Sequence, residues 1–246
     1  MNVASNTVLI TGGASGIGFA LAERFLQAGS EVIICGRRPE QLRAAQEKHP
    51  QVKVRVCDVA KESDRLALCR WAVGEQPGLN VLVNNAGIQR RLQLAQPEEW
   101  EHTRQEIAIN FEAPVHLSTL LIPHLLKQQR PAILNVTSGL GFVPMARSPI
   151  YSATKAALHS FTLSLRHQLS HTPIQVVEII PPAVNTDLGG AGLHTFGVPL
   201  DEFADAVIAG LQDGDPEITY GFSQDASRAS RPQLDELFTR MNQSAS

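Results

Sequence analysis

Short runs rich in Val, Ile and Leu recur along this chain, separated by longer segments with helical spacing. The runs are residues 7–11, 31–35, 52–57, 80–84, 132–137 and 174–180. They are too short for helices, and several are apolar nearly throughout, as strands buried on both faces should be. The segments with helical spacing are 17–28, 39–48, 61–74, 97–129, 149–171, 200–213 and a terminal helix at 232–242, with an edge strand predicted in "EITYGF" (217–222).

This alternation predicts an α/β fold, because strands that alternate with helices form βαβ crossovers and a parallel sheet covered on both faces. The sequence contains no linker, repeat or low-complexity segment, so we expect one domain over residues 1–246. Within the long helical region, Pro97 suits a first helical turn, whereas Pro114 and Pro123 should bend or split the helix.

Composition argues against several classes of partner. A net charge of −3 gives no electrostatic attraction to nucleic acid or anionic membranes, and no apolar run is long enough to span a bilayer. Three cysteines without a CxxC spacing indicate buried thiols in a reducing compartment. No signal peptide is recognisable before the first strand, so we expect a cytoplasmic protein. His167 and His171 have the spacing of a metal pair but lack an obvious third ligand, so no metal site is predicted.

A glycine-rich turn, "VLITGGASGIG", joins the first strand to the first helix, with Gly12, Gly13, Gly16 and Gly18. Glycine permits a tight turn and close approach of the backbone to a phosphate, and the helix N-terminus that follows presents N–H groups and a positive dipole end. The GxxxGxG spacing differs from the GxGxxG dinucleotide fingerprint. A tight strand-to-helix turn without a ligand is therefore the alternative interpretation.

The end of the second strand indicates which dinucleotide would bind. Dinucleotide sites usually place an acid there to hold the ribose 2′-hydroxyl. This chain has Arg37 and Arg38 instead, and two guanidinium groups suit a 2′-phosphate. The pair predicts NADP(H) in preference to NAD(H), with two solvated loop arginines as the alternative. The nearest acid, Glu40, falls in the next predicted helix.

The segments "TGGASGIG" and "NNAG" (84–87), followed by Ser138 and the Tyr151-x-x-x-Lys155 pair, resemble in this order the short-chain dehydrogenase/reductase family. The resemblance covers nearly the whole chain. It implies a Rossmann-type, doubly wound sheet of about seven parallel strands flanked by helices. It also implies an oxidoreductase that assembles as a homodimer or homotetramer through the helices at 97–129 and 149–171.

The resemblance also assigns residues to the cofactor site. These are Gly12, Ser15, Gly16, Ile17 and Gly18 at the pyrophosphate, Arg37 and Arg38 at the 2′-phosphate, Asp58 and Val59 at the adenine, Asn84, Ala86 and Gly87 on the ribose side, Tyr151 and Lys155 near the nicotinamide ribose, and Pro181, Val184 and Thr186 at the carboxamide. One departure is Pro182, where most members have Gly, so the backbone of the carboxamide pocket is expected to differ. A basic residue that many NADP-binding members have at Ser15 is also missing, which leaves Arg37 and Arg38 to carry the preference.

The Tyr151 and Lys155 pair predicts acid–base chemistry. A free phenol has a pKa of about 10, and an ammonium four residues away on the same helix face should lower it towards the working pH. By resemblance, Tyr151 exchanges a proton with the carbonyl oxygen while the nicotinamide carries the hydride, and Ser138 hydrogen-bonds that oxygen. Asn110 matches the asparagine that holds a water near the lysine. Taken singly, these residues could equally be a surface pair, a strand end and a polar helix residue.

Three segments should line the substrate side of the cleft: 88–94, 139–149 and the glycine-rich 188–199, which is expected to act as a lid. Their residues Leu140, Phe142, Met145, Leu188, Leu193 and Phe196 suggest a partly apolar pocket for a hydrophobic ketone or aldehyde. The predicted function is an NADP(H)-dependent carbonyl reductase that runs in reverse as an alcohol dehydrogenase.

Two alternatives remain. Arg90, Arg91 and Arg147 would suit the acidic carrier protein of a 3-oxoacyl thioester reductase. A catalytically silent cofactor sensor on the same fold is the other alternative. Such sensors typically lose the Tyr or the Lys, and both are present here.

Overall fold

The sheet of the computed structural model is parallel, and the structure describes residues 1–96 and 99–243. Its seven strands are β1 (Thr7–Thr11), β2 (Glu31–Gly36), β3 (Lys53–Val56), β4 (Val81–Asn84), β5 (Ala132–Val136), β6 (Gln175–Ile180) and β7 (Glu217–Thr219). They lie in the order β3-β2-β1-β4-β5-β6-β7, and every neighbouring pair is parallel. The predicted α/β fold is confirmed, and "EITYGF" does begin with an edge strand.

Helices cover both faces of this sheet. They are α1 (Gly16–Gln27), α2 (Pro39–Lys48), α3 (Glu62–Glu75), α4 (Trp100–Ile107), α5 (Ala113–Leu125), α6 (Pro149–Gln168), α7 (Leu200–Asp213), α8 (Phe222–Arg228) and α9 (Arg231–Asn242). Helix α8 was not predicted, because its seven residues follow the edge strand after a single glycine turn. Among the described residues, no helix is both long and apolar enough to cross a membrane.

The long region predicted as helix is divided, although not by its prolines. A π-helical turn, Ala108–Glu112, separates α4 from α5. Pro114 lies in the first turn of α5, where its missing N–H is tolerated, and Pro123 lies inside the same helix. Pro97 falls outside the described residues. Single π turns inside helices often occur at functional sites, and this one carries Asn110.

Two hydrophobic clusters, one on each face, hold the sheet between its helices. Leu21 and Phe25 of α1 and Phe203 of α7 belong to one cluster, and each is fully buried. Leu68 of α3 and Leu121 of α5 belong to the other. All three cysteines are free thiols and buried, as predicted.

The carboxyl ends of the central strands converge at one edge of the sheet. There the Gly12 N–H donates to the Cys35 carbonyl of β2 at 2.8 Å, and the Gly139 N–H donates to the Pro181 carbonyl after β6 at 2.9 Å. In an open parallel sheet this edge, where the strand order reverses between β1 and β4, is where ligands bind.

Candidate active site

The glycine-rich turn after β1 has the conformation that its glycines allow. Gly12 and Gly16 have φ of +63° and +53°, in the left-handed region that other residues rarely adopt. A Cβ on Gly18 would lie 2.3 Å from the Nδ2 atom of Asn85. The Asn85 amide itself donates to the carbonyls of Thr11 at 2.9 Å and Gly12 at 3.2 Å. The turn after β4 is therefore packed tightly against the turn after β1, and only glycine fits between them.

The start of α1 suits an anionic group. Ser15 occupies the N-cap position without a side-chain capping bond, so the first N–H groups of the helix, including that of Ile17, are left for another acceptor. Across from this end, the Cγ2 atom of Thr186 would lie 3.5 Å from a Cβ built on Gly16. The helix end and the loop after β6 therefore face each other in the way that a bound pyrophosphate requires, and the residues present fit a dinucleotide.

Two exposed cations lie at the end of β2. Neither Arg37 nor Arg38 has a hydrogen-bond or ion-pair partner for its guanidinium within residues 1–96 and 99–243. The neighbouring residues after β3 are engaged in local structure, since Asp58 accepts from the Ala60 N–H at 3.1 Å and the carbonyl of buried Val59 accepts from Arg65 at 2.7 Å. The two arginines are therefore free to bind a phosphate.

The turn after β4 requires one correction. Asn84 was expected to line the ribose side, but its side chain is buried and donates to Asn135 at 2.8 Å and Ser118 at 3.1 Å. It supports the interior of the sheet and does not reach the cleft. Ala86 and Gly87 are only half buried, and a Cβ on Gly87 would lie 3.7 Å from the Lys155 Nζ. Sequence analysis also overlooked Asn85, whose amide fixes the glycine-rich turn.

Tyr151 and Lys155 lie one turn apart near the start of α6, as their spacing predicted. Tyr151 is 6% exposed and Lys155 is 3% exposed. The Lys155 Nζ lies 5.6 Å from the centroid of the Tyr151 ring and donates to the Val136 carbonyl at 2.8 Å. The ammonium therefore contacts the face of the phenol ring, and it is anchored to the end of β5.

The pKa of Tyr151 is shifted in the direction opposite to the prediction. Burial raises it to about 12, and the charge of Glu106 acts in the same direction, while a hydrogen bond with Ser138 opposes them. Burial also lowers the pKa of Lys155 to about 8. Desolvation was invisible in the sequence, and it outweighs the neighbouring charge that was visible.

Ser138 and Asn110 meet the Tyr151 helix from two sides. The Ser138 Oγ accepts from the Leu140 N–H at 3.1 Å, and the same hydroxyl forms the hydrogen bond with Tyr151 that opposes the rise in the Tyr151 pKa. In the π turn, the Asn110 amide donates to the Ile88 carbonyl at 2.8 Å and accepts from the Ile88 N–H at 2.9 Å. Its Nδ2 also lies 3.2 Å from the Thr154 hydroxyl. Asn110 therefore joins the segment after β4 to α6.

The loop after β6 borders the same cleft. Pro181 and Val184 are buried, and Val184 forms a parallel bridge with Val198 at the far end of the lid segment. The Thr186 hydroxyl donates to the Val184 carbonyl at 3.3 Å. This bridge ties the C-terminal end of the predicted lid to the loop that precedes it, while Leu193 and Phe196 in the middle of the lid are exposed.

The residues expected to form the apolar pocket differ in their exposure and in the side chains that they contact. Phe142 packs its ring on His159 at 4.5 Å, so it supports α6. The Met145 sulfur accepts from the Arg147 side chain at 3.2 Å. Leu193 and Phe196 of the lid are exposed, Phe196 by 71%. Leu140 and Leu188 are half buried.

Glu106 is a further acidic residue at the site, and sequence analysis did not single it out. It lies on α4 one turn before Asn110, it is 2% exposed, and its Oε1 accepts only a long 3.4 Å hydrogen bond from the Arg90 N–H. Burial raises the pKa of Glu106 to about 7. The spacing of four residues from Asn110 was the available signal.

Comparison with known proteins gives consistent results. The chain matches the family model described as short chain dehydrogenase over residues 6–193. It is 48% identical over 248 residues, 98% of each chain, to the uncharacterized oxidoreductase DltE of Bacillus subtilis (strain 168). A short-chain dehydrogenase from Sphingobium yanoikuyae in complex with NADPH has 26% identity and a TM-score of 0.80, covering 94% of this chain and 92% of that one. A 3-ketoacyl-(acyl-carrier-protein) reductase from Brucella melitensis complexed with NADH has 27% identity and a TM-score of 0.80, covering 90% and 99%.

Proposed function

Because this chain belongs to the short-chain dehydrogenase family and is an oxidoreductase, we propose that it reduces the carbonyl group of a small ketone or aldehyde to an alcohol, reversibly, with NADP(H). The observation that carries the proposal is the buried arrangement of Tyr151 and Lys155 at the end of β5, beside Ser138. When bound, the nicotinamide cofactor supplies or accepts the hydride.

Tyr151 is the proton donor in reduction. A phenol whose pKa is about 12 is fully protonated near neutrality, which is the state that a general acid needs. The alkoxide that forms on the substrate is a far stronger base than a phenolate, so the proton moves downhill. Ser138, which hydrogen-bonds Tyr151 in this structure, donates its hydroxyl proton to the same oxygen when the substrate binds and keeps that oxygen within reach.

Lys155 stabilises the charge that proton donation leaves, and Asn110 holds the arrangement in place. At neutral pH a lysine with a pKa of about 8 remains mostly charged, and its ammonium stabilises the phenolate that donation leaves behind. The hydrogen bonds between Asn110 and both Ile88 and Thr154 join the π turn and the segment after β4 to α6, which sets the position of Tyr151 and Lys155 relative to the cleft.

The choice of NADP(H) over NAD(H) is supported by the guanidinium groups of Arg37 and Arg38, which have no partner among the residues that the structure describes. Two permanently charged guanidinium groups at the end of β2 favour binding of a cofactor with an additional phosphate on the adenosine ribose. The Sphingobium yanoikuyae relative in complex with NADPH is consistent with this choice.

The test is a substrate panel. Purified protein is mixed with NADPH and a series of aromatic ketones, and the loss of NADPH absorbance is followed. We expect turnover, and we expect Tyr151→Phe to reduce kcat about a hundredfold or more while the affinity for NADPH changes little. Tyr220→Phe is the matched control, because Tyr220 is the only other tyrosine in the chain and its hydroxyl contacts exposed Glu202. Unchanged turnover by Tyr151→Phe would remove the acid role, and NADPH binding with no turnover of any carbonyl would favour the silent sensor.

A 3-oxoacyl thioester reductase is the second candidate, and two cations at the cleft favour it. Within the part of the chain that the structure describes, the Arg91 guanidinium has no partner, and the Arg147 guanidinium contacts only the Met145 sulfur. Burial lowers the pKa of His194 in the lid, and the charges of Arg91 and Arg147 lower it further. Arg90 is not available, because it donates to the His102 carbonyl and to Gln105. The Brucella melitensis relative is named for this reaction. Activity confined to acyl thioesters in the same panel would favour this candidate.

A further inference from the structure

Charged side chains buried away from the cleft have full sets of partners. Arg65 donates to the Val59 carbonyl at 2.7 Å, to the His116 ring at 3.0 Å and to Glu112. Glu178 accepts from the Thr137 hydroxyl at 2.7 Å and from His159 at 2.9 Å. These groups satisfy the usual requirement that a buried charge is paired and hydrogen-bonded.

Glu106 does not meet this requirement. It is as buried as Arg65, yet its only hydrogen bond is the 3.4 Å contact with the Arg90 N–H, and its Oε2 has no partner among the described residues. The nearest guanidinium, that of Arg90, is directed to the His102 carbonyl and Gln105 instead. This Oε2 is not one of the enclosed unpartnered atoms of the described residues, so it reaches open space where a donor from outside the chain can meet it.

The place of this carboxyl group shows which ligand would complete it. Glu106 lies one helical turn from Asn110 and against the segment after β4, which borders the substrate side of the cleft. A Cβ built on Gly87 would lie 3.5 Å from the Asn110 Oδ1 and 3.7 Å from the Lys155 Nζ, and the Arg90 N–H that contacts Glu106 follows three residues later. The Lys155 ammonium and the Glu106 carboxyl group therefore border the same segment after β4. A substrate whose carbonyl oxygen meets Tyr151 would bring its neighbouring carbon towards Glu106.

We propose that Glu106 is a substrate-binding residue that accepts a hydrogen bond from a donor on the carbon next to the reacting carbonyl. The substrate class is therefore a ketone or aldehyde with an adjacent hydroxyl or amino group, rather than a plain hydrophobic ketone. This inference rests on the proposed function of the site and specifies its substrate.

The experiment compares three ketones of nearly equal size with the NADPH-loaded enzyme: 2-hydroxyacetophenone, 2-aminoacetophenone and propiophenone. The measured quantity is the ratio of kcat/KM for each donor-bearing ketone to that for propiophenone. Differences in intrinsic reactivity cancel when this ratio is compared between wild type and variants. Glu106→Leu should reduce the ratio for the preferred donor by about tenfold to a hundredfold, as expected for a hydrogen bond to a charged group.

Glu106→Gln distinguishes the two donors. The amide keeps an acceptor oxygen and loses the charge, so a hydroxyl donor should retain part of its advantage, whereas an ammonium donor should lose nearly all of it. Glu101→Gln is the matched control, because Glu101 lies on the exposed face of the same helix and is 73% exposed. Its ratios should equal those of wild type.

Each result decides one question. Ratios that stay unchanged in both Glu106 variants overturn the inference, and propiophenone turnover in the same assays would leave the proposed function standing. Failure of the wild type to reduce any carbonyl overturns the proposed function itself. If Glu106→Leu does not fold, the nearly isosteric Glu106→Gln decides alone. A merely structural role of Glu106 would change kcat/KM for all three ketones equally and leave the ratios constant.

Discussion

The buried carboxyl group of Glu106 should make stability depend on pH in a way that one substitution removes. In an unfolded chain this carboxyl group titrates near its ordinary pKa of 4.5, and in the folded protein burial raises that pKa to about 7. Between these values the folded state holds a proton that the unfolded state has released. The stabilising contribution of the protonated group is therefore complete below pH 4.5 and is lost as the pH rises through 7.

The size of the effect follows from the pKa difference. Since one pH unit corresponds to 1.36 kcal/mol, the rise from 4.5 to about 7 amounts to about 3 kcal/mol in the free energy of unfolding above pH 8. Contact of one carboxyl oxygen with the cleft makes this an upper value. Glu106→Gln has no such titration and keeps an acceptor for the Arg90 N–H. The variant should therefore match wild type near pH 4.5 and exceed it by about 1 to 3 kcal/mol at pH 8.

Urea unfolding at fixed protein concentration, at several pH values between 5 and 8, measures this difference. For a chain of this length, 1 kcal/mol corresponds to about 2 to 4 °C in Tm, so thermal melts give an independent reading. Glu101→Gln, on the solvent side of α4, should follow the wild-type curve. If Glu106→Gln and wild type keep a constant difference across this range, Glu106 has an ordinary pKa and the argument from burial fails.

Two further variants, one double and one single, test the cofactor site. Arg37→Ser combined with Arg38→Ser should weaken NADPH binding about tenfold or more while NADH binding changes little. The reason is that the two guanidinium groups are exposed and unpaired among the described residues, where they can bind a phosphate. Equal losses of affinity in titrations with both cofactors would contradict the phosphate role. Gly18→Ala should abolish dinucleotide binding and lower Tm, because the added Cβ would lie 2.3 Å from the Asn85 Nδ2. Gly74→Ala in α3 is the control. Its Cβ would meet nothing within 4 Å, so it should stabilise the helix by up to about 1 kcal/mol. Normal binding by Gly18→Ala would show that the turn can open.

The sequence predicted the elements whose signal is local. The positions of the strands along the chain follow from short apolar runs. The placement of Tyr151 and Lys155 one turn apart follows from helical spacing. Gly12 and Gly16 were identified because a strand-to-helix turn needs residues that tolerate positive φ. Each of these features depends on neighbours within a few residues, so it can be recognised without knowing the tertiary structure.

Features that depend on distant contacts were missed or misjudged. The π turn at Asn110 is fixed by Ile88, which lies 22 residues earlier, and so the helix break was assigned to the prolines instead. Asn84 resembles a cleft residue in sequence, yet Asn135 of the next strand draws its side chain into the interior. The pKa of Tyr151 was predicted from one visible charge, although burial by the whole surrounding structure determines it.

Buried charged groups have fewer partners at the site than in the rest of the described interior. Arg65 and Glu178 are buried and well partnered, as stability requires. Around the cleft the opposite holds, since Lys155 has one carbonyl partner and Glu106 one long bond from an amide. Glu106 also acts on Tyr151, because a carboxylate beside a phenol disfavours a second negative charge. An ionised Glu106 therefore keeps Tyr151 protonated until a carbonyl is bound, and it makes the phenol a weaker proton donor, which the Lys155 ammonium beside the ring opposes.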